Sequence, residues 1–272
     1  MTINNISLVT IIKNKLIDLI TKEKKQLQYF TDLSRMNFSI ELSKNGDNII
    51  YKTSLCLPLA KIYKKSPLFL AQNLVNIFNQ SSYQQDILIQ ISRNGWLEFI
   101  IGDRLVNEWL NKVNKINLLE LNKDNIKTNK SQINFNNYYT HSRCCSILKS
   151  AHQQNIINLN SVDFILNKWY IEKPVNIKYE IINLSGSYEQ KLIKELIIIT
   201  DKIVNNKLNY QNSLNKLSKA ILDVECYCQI WGETLHNHLA ISQSRLGLIA
   251  IALNYYQNLF YQEFKENLPT EI

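Results

Sequence analysis

Glycine and proline are scarce in this chain. There are 6 glycines and 4 prolines among 272 residues, so few positions favour tight turns or helix breaks. The glycines are dispersed, and none belongs to a loop of the glycine-rich kind that cradles phosphates. The sequence therefore predicts a largely helical chain without a nucleotide-binding loop, and we expect no cofactor.

Long apolar runs are missing as well. The longest, Leu196–Thr200 and Leu246–Leu253, are far shorter than the roughly 20 residues that span a bilayer. Met1–Ile20 lacks the small-residue cleavage site of a secretory signal. We expect this stretch to be part of the fold, and we expect no membrane partner.

Cysteine is present in a pattern that excludes a disulfide framework. The count of five is odd, and Cys144 and Cys145 are neighbours. This pattern is typical of free thiols in a reducing compartment. The abundance of Ile, Asn and Lys suggests an AT-rich genome, so we expect the plastid stroma or the cytoplasm.

A metal site is the one alternative role for the later cysteines. Cys226 and Cys228 precede His236 and His238. A spacing of two on a helix separates the thiols by about 200°, so they cannot face one ion, and we expect no metal site.

Basic residues outnumber acidic residues in this sequence. There are 31 basic and 23 acidic residues, which gives a net charge of +8. A basic balance favours a polyanionic partner, which could be RNA, DNA or an acidic membrane surface. The alternative is that AT-rich coding raises the lysine content without any nucleic-acid role.

The first 114 residues predict an α+β domain. An apolar stripe at helical spacing predicts a helix over 5–30, and alternation predicts a half-buried strand over 36–42. Arg93-Asn94-Gly95 is a hairpin signal. The further predicted elements are helices over 51–64, 66–79 and 103–113 and strands over 86–92 and 96–101.

Residues 115–135 are rich in Asn and Lys and predict a hydrated linker. Residues 136–272 then predict an all-α helical bundle. Its expected helices cover 136–153, 161–170, 187–205, 210–231 and 242–265, and 175–184 is ambiguous.

The helix that opens the bundle carries unusual polar chemistry. Tyr139, Arg143 and Ile147 lie four residues apart and share one face. His141 and Cys145 are also four apart, which is the spacing of a nucleophile and its base, but nothing obvious orients the histidine. The plainer interpretation is that Tyr139 and His141 are core residues.

The same stretch resembles a known family. Tyr139-x-His141-x-Arg143 followed by Cys145-Ser146-Ile147 is similar to the segment that opens the DALR-type anticodon-binding domain of arginyl-tRNA synthetases. Arg245-Leu246-Gly247-Leu248 resembles the Arg-Leu-Ala-Leu segment of the same domain. The resemblance implies an anticodon-binding bundle of the class I synthetase type.

The N-terminal half resembles the additional N-terminal domain of the same family. The similar segments are Tyr51–Lys61, Ser66–Ala71 and Gly95–Phe99. In that family the domain contacts the tRNA elbow near the D-loop. The resemblance therefore implies tRNA as the partner, with RNA contacts at Tyr139, His141, Arg143, Lys149, Arg245 and Lys61.

The catalytic segments of the family have no counterpart in this sequence. None of the four histidines lies in His-x-Gly-His, and no Met-Ser is flanked by lysines. The linker is also far shorter than the about 100 residues that a nucleotide-binding domain requires. We expect an RNA-binding paralogue without catalytic residues. The alternatives are a protein-interaction module on the same scaffold and a subunit that assists a separate arginine–tRNA ligase.

Overall fold

The structure is a computed structural model that describes residues 6–34, 38–43, 48–114, 135–159, 169–179 and 187–270. The chain divides into two compact units. The first unit is Ser7–Val106, and the second is Asn107–Ile272 together with Met1–Ile6. The predicted linker lies outside the described residues except for Phe135.

The first unit combines helices with a four-stranded antiparallel sheet. The strand order is β1-β2-β4-β3, so β4 lies between β2 and β3. The elements are α1 (Leu8–Lys22), β1 (Glu41–Leu42), β2 (Ile50–Thr53), α2 (Cys56–Tyr63), α3 (Pro67–Gln80), β3 (Ile87–Ile91), β4 (Leu97–Ile101) and α4 (Asp103–Val113), which continues into the second unit.

The core of the first unit lies on one face of this sheet. Tyr51 pairs with Phe99, and Phe99 pairs with Ile89, so three buried side chains form a row across the strands. The amphipathic helix α3 packs on β3 with its buried residues Leu74 and Phe78. Buried and exposed residues alternate along the strands, and α3 has an apolar stripe. Both therefore place their apolar side chains in the same layer.

Short sequence patterns predicted most of the helices and strands of the first unit. The hairpin β3–β4, the helix α4 and the start of α3 at Ser66-Pro67 are confirmed. The prediction of a helix from residue 51 is wrong, because Ile50–Thr53 pairs with β4. Helix α2 begins at Cys56, so Pro58 lies in its first turn, where no intrahelical donor is lost.

The predicted strand over 36–42 is shorter than expected. The structure places only Glu41–Leu42 in a strand, residues 38–40 are not in one, and residues 35–37 lie outside the described part. The helix predicted over 5–30 is Leu8–Lys22, followed by a 3₁₀ turn at Gln28–Ser34.

The second unit is mostly helical. Its elements are the end of α4, then α5 (Phe135–Gln153), β5 (Asn158–Leu159), β6 (Ile171–Lys173), α6 (Tyr188–Val204), α7 (Tyr210–Tyr227), α8 (Glu233–Asn237) and α9 (Leu239–Phe264). Helix α9 contacts α5, α6, α7 and α8. It is buried on nearly all sides from Leu246 to Leu253, as expected of the central helix of a bundle.

The prediction of an all-α bundle is wrong, because β5 and β6 pair as a two-stranded antiparallel sheet. Two predicted helices also need correction. Helix α7 ends at Tyr227, four residues before the predicted end, and Cys228 is its C-terminal cap. The stretch predicted as helix over 161–170 lies outside the described residues up to 168, and Trp169 and Tyr170 are not helical. Ile171–Lys173 then form β6, residues 174–176 bend, and residues 177–179 are in neither a helix nor a strand.

Gly95 allows the β3–β4 turn to approach helix α3. Its φ is +79°, and a Cβ atom built there would lie 2.8 Å from the carbonyl carbon of Pro67. Asn94, the residue before it, also has a positive φ of 61°. At Gly95 the left-handed backbone coincides with a close approach to the main chain of Pro67.

We expect Gly95→Ala to lower the free energy of unfolding by about 2–4 kcal/mol, because the strained backbone and the collision with Pro67 add together. Asn94→Ala is the matched control, since it also places alanine in the left-handed region and costs about 1 kcal/mol. Urea unfolding followed by tryptophan fluorescence measures both. Equal losses in the two variants would show that α3 accommodates the added carbon.

Candidate nucleic-acid interface

A basic and aromatic surface lies on the first unit where α2 meets α3. We call it the Lys61 surface and define it by Lys61, Lys64, Lys65, Tyr29, Tyr63 and Phe69. The three lysines are exposed, and Phe69 is 49% exposed. The surface presents positive charge beside aromatic rings, which are the two groups that single-stranded nucleic acid contacts.

The rings of the Lys61 surface support one another. The ring of Tyr29 lies 5.4 Å from that of Tyr63 and 6.2 Å from that of Phe69, both edge to face. The ammonium group of Lys65 lies 5.9 Å from the centre of the Phe69 ring. Edge-to-face packing and the cation hold the Phe69 ring in a defined position.

The turn between the two helices produces this exposure. Lys64 ends α2 in the left-handed region, and the main-chain N–H of Phe69 donates to Ser66 Oγ at 3.1 Å to cap α3. Ile62 is 57% exposed beside them. Because the turn is tight, the side chains at the end of α2 and at the start of α3 do not reach the core and stay exposed.

The charge of this region is unopposed in the sequence. Residues 48–85 contain four lysines and no aspartate or glutamate. Lys52 is neutralised by Glu98 of β4, at 2.9 Å. The lysines at 61, 64 and 65 therefore account for the remaining positive charge of the stretch, and Lys61 is the predicted RNA-contact residue that lies among them.

The α5 face of the second unit has a different character. Tyr139 is 43% exposed, and Lys149 is half-buried. Arg143 is bound by Glu225 of α7, with its Nη2 atom 2.7 Å from the carboxylate oxygen. Arg143 and Ile147 line a groove of about 520 Å³ with residues 225–232, which we call the Arg143 groove.

A pair of stacked tyrosine rings lies beside the Arg143 groove. The rings of Tyr188 and Tyr227 are stacked with centres 4.5 Å apart, and the ammonium group of Lys191 lies 4.6 Å from the Tyr188 ring. Tyr227 is 63% exposed. Sequence patterns did not identify this pair, because the two tyrosines lie at opposite ends of different helices.

His141, predicted to contact RNA, is fully buried and has no surface for such a contact. Its Nδ1 lies 2.8 Å from the carbonyl oxygen of Pro269, and its Nε2 lies 2.8 Å from the side-chain nitrogen of Gln257. A carbonyl only accepts, so Nδ1 carries the proton and Nε2 accepts from Gln257. The residue joins α5 to α9 and to the segment after it.

The same burial removes the nucleophile alternative. Cys145 Sγ lies 3.7 Å from His141 Nε2. Burial raises the pKa of the Cys145 thiol to about 12, and burial lowers the pKa of His141 to about 4, although the Pro269 hydrogen bond opposes this shift. The pair therefore remains a thiol and a neutral imidazole near pH 7, with no thiolate to react.

Arg245, also predicted to contact RNA, has a structural role. Its Nε donates to Glu189 at 2.8 Å, and its Nη1 donates to the carbonyl oxygen of Gln229. The Glu189 side chain is 2% exposed and the Arg245 side chain 13%. The two charges neutralise each other inside the unit, so Arg245 is not available to a phosphate.

No group of three or more His, Cys, Asp and Glu side chains among the described residues comes together to hold a metal ion. No helix in the described part of the chain has the length and apolar character that crossing a bilayer requires.

The buried neutral His141 makes stability depend on pH. Its pKa in the folded state is about 4, below the value of about 6.5 in an unfolded chain. The unfolded chain therefore takes up a proton that the folded chain refuses, and the free energy of unfolding falls as pH decreases from about 6.5 to 4, by up to about 3 kcal/mol. Urea titrations of the wild type, followed by helix content, measure this slope.

We expect His141→Gln to remove most of that slope while lowering stability at neutral pH. His236→Gln is the control, because it removes an exposed imidazole from the same unit. A wild-type slope that persists in His141→Gln would mean that another group titrates in this range.

Comparison with known proteins gives one result for part of the chain. No curated protein and no solved structure matches the chain. Residues 8–101, about a third of the chain, match the family model of the arginyl tRNA synthetase N terminal domain. The first unit is therefore an arginyl-tRNA synthetase-like N-terminal domain, followed by a mostly helical region.

Proposed function

We propose that this protein binds tRNA through the Lys61 surface and carries out no adenylation itself. The observation that supports this is the unopposed positive charge beside exposed aromatic rings, within the region that matches the synthetase N-terminal domain. The resemblance to that family, whose N-terminal domain contacts the tRNA elbow, supports tRNA as the RNA.

The chemistry of the Lys61 surface suits an RNA loop. Lysines 61, 64 and 65 can contact consecutive phosphates, and Phe69 offers a ring edge and face to an unpaired base. Stacking of one base on an aromatic ring contributes about 1–3 kcal/mol. Loops rather than helices of RNA expose bases for such stacking, and a tRNA elbow is built from loops.

The helical region belongs to the proposal as a DALR-type bundle. The resemblance of Tyr139–Ile147 and Arg245–Leu248 supports that type, and the helical content of the second unit is consistent with it. Tyr139 and Lys149 stay as proposed RNA contacts on α5. Arg143 would have to leave Glu225 to contact a phosphate.

A subunit that assists a separate arginine–tRNA ligase is the second candidate, and the match of the N-terminal domain favours it. Arginylation of tRNA by a separate catalytic chain, measured with and without this protein, tests it. A higher rate with the protein present would support the candidate. No arginylation by the protein alone is expected.

We expect Lys61→Glu with Lys65→Glu to weaken tRNA binding at least tenfold in filter-binding assays. The slope of log Kd against log salt should also fall by about 1.4, because each lost contact to a single-stranded phosphate removes about 0.7. The matched control is Lys173→Glu with Lys207→Glu, which changes the net charge equally at exposed positions of the second unit. Equal weakening by both pairs would contradict a specific surface.

Phe69→Ala separates stacking from charge. We expect it to weaken binding of the same tRNA about 5- to 100-fold, because one base loses its stacking partner, while the salt slope stays unchanged. Leu68→Ala, at the neighbouring exposed position, is the control and should change affinity less than twofold. A lower salt slope for Phe69→Ala would mean that the ring acts by positioning the lysines.

A further inference from the structure

Strand β3 lies at an edge of the sheet in the first unit. Its neighbour is β4, and among the described residues no other strand pairs with it. The main-chain groups on its outer side therefore have no partner strand in that part of the chain. An edge of this kind can add a strand from another molecule, so its chemistry determines whether the chain associates.

The odd-numbered residues of β3 turn their main-chain groups toward this outer edge. In an antiparallel pair, the N–H and C=O groups of successive residues point alternately toward and away from the neighbouring strand. The carbonyl of Asp86, just before β3, accepts from the N–H of Gly102 at 2.8 Å, so the even-numbered residues face β4. The groups at the outer edge are therefore those of Ile87, Ile89 and Ile91.

The side chain of Asn79, near the end of α3, occupies the middle of this edge. Its Nδ2 donates to the carbonyl oxygen of Ile89 at 2.7 Å, and its Oδ1 accepts from the N–H of the same residue at 3.0 Å. The amide side chain offers one donor and one acceptor, as a peptide group of a neighbouring strand would. We call these two hydrogen bonds the Asn79 clamp.

The residues of β3 themselves favour association. Ile87–Ile91 reads Ile-Leu-Ile-Gln-Ile, with no charge, proline or glycine. Uncharged segments of high β-propensity pair readily with one another, and natural edge strands often carry a lysine or a proline that prevents this. Leu88, on the solvent side, is 41% exposed. An added strand would therefore gain main-chain hydrogen bonds and also cover apolar surface.

Two copies of β3 match each other in the antiparallel direction. With Ile89 opposite the same residue of the second copy, Ile87 lies opposite Ile91, and Leu88 lies opposite Gln90. The odd positions of both copies then form hydrogen-bonded pairs, each of which exchanges both of its N–H···O bonds. No like charges face each other in this register. The partner that this edge fits is therefore a second copy of the chain.

We propose that the Asn79 clamp is an autoinhibitory contact that prevents β3 from pairing with β3 of a second copy of this chain. While Asn79 is bonded to Ile89, the central pair of the two-fold register cannot form. When the clamp is removed, the two sheets join edge to edge. Neither residue belongs to the Lys61 surface, so this inference does not depend on the proposed function.

Asn79→Ala tests the proposal, with mass measured by light scattering after size-exclusion chromatography. We expect its mass to double relative to the wild type as the protein concentration rises, because the open edge pairs with a second copy. Asn73→Ala is the matched control. Asn73 is also half-buried on α3, and its Nδ2 donates to the carbonyl of Gln26 at 3.1 Å rather than to β3. We expect this variant to keep the wild-type mass.

Leu88→Lys, added to Asn79→Ala, tests where the two copies meet. Lysine on an edge strand opposes pairing, so we expect the double variant to return to the wild-type mass. Amide hydrogen exchange gives a second readout in Asn79→Ala. The N–H groups of Ile87, Ile89 and Ile91 should exchange at least about tenfold more slowly at high than at low protein concentration, because pairing protects them.

Three results would overturn the proposal: a wild-type mass for Asn79→Ala, equal association of Asn73→Ala, or association that Leu88→Lys does not reverse. If Asn79→Ala loses cooperative thermal unfolding, Asn79→Leu supplies the same test, with Asn73→Leu as its control. Leucine is close to asparagine in size and favours a helix, but it can neither donate nor accept a hydrogen bond.

Discussion

The buried ion pair between Glu189 and Arg245 sets the geometry of the second unit. Burial alone would raise the pKa of Glu189. Hydrogen bonds from its own main-chain N–H, from the Cys228 thiol and from Arg245 keep that pKa below its usual value. Removing one partner of such a pair typically costs about 3–5 kcal/mol, because the remaining charge stays buried. Helices α6 and α9 are thereby fixed to each other.

The same arginine also fixes the loop that follows α7. Arg245 donates to the carbonyl of Gln229, and Ser242 of the same helix donates to the carbonyl of Ile230 at 2.7 Å. The loop therefore ends α7 at Tyr227 and forms one wall of the Arg143 groove. Arg245 was predicted to contact RNA, but its hydrogen-bond partners are internal. Residue type alone does not reveal the direction of a side chain.

Sequence patterns predicted elements whose signals are local and missed those that depend on distant residues. Ser66-Pro67 and Ser187 cap their helices, and the Asn94-Gly95 turn joins two strands, because each conformation is favoured within a few residues. The strand at Tyr51 was missed because its partner, Phe99, is 48 positions away. The Lys61 surface was only partly predicted, since Tyr29 reaches Phe69 through the fold. Its clearest sequence signal is the stretch 48–85, which contains no acidic residue.

Gly247 lies in α9 at a point where a side chain would collide with a neighbouring segment. A Cβ at Gly247 would lie 2.5 Å from Ile177 Cδ1 and 3.0 Å from the Tyr179 hydroxyl. Glycine within a helix costs about 1 kcal/mol relative to alanine, and here it makes room for the 169–179 segment against α9. The close packing of Ile177 and Tyr179 on α9 therefore depends on the missing side chain at this position.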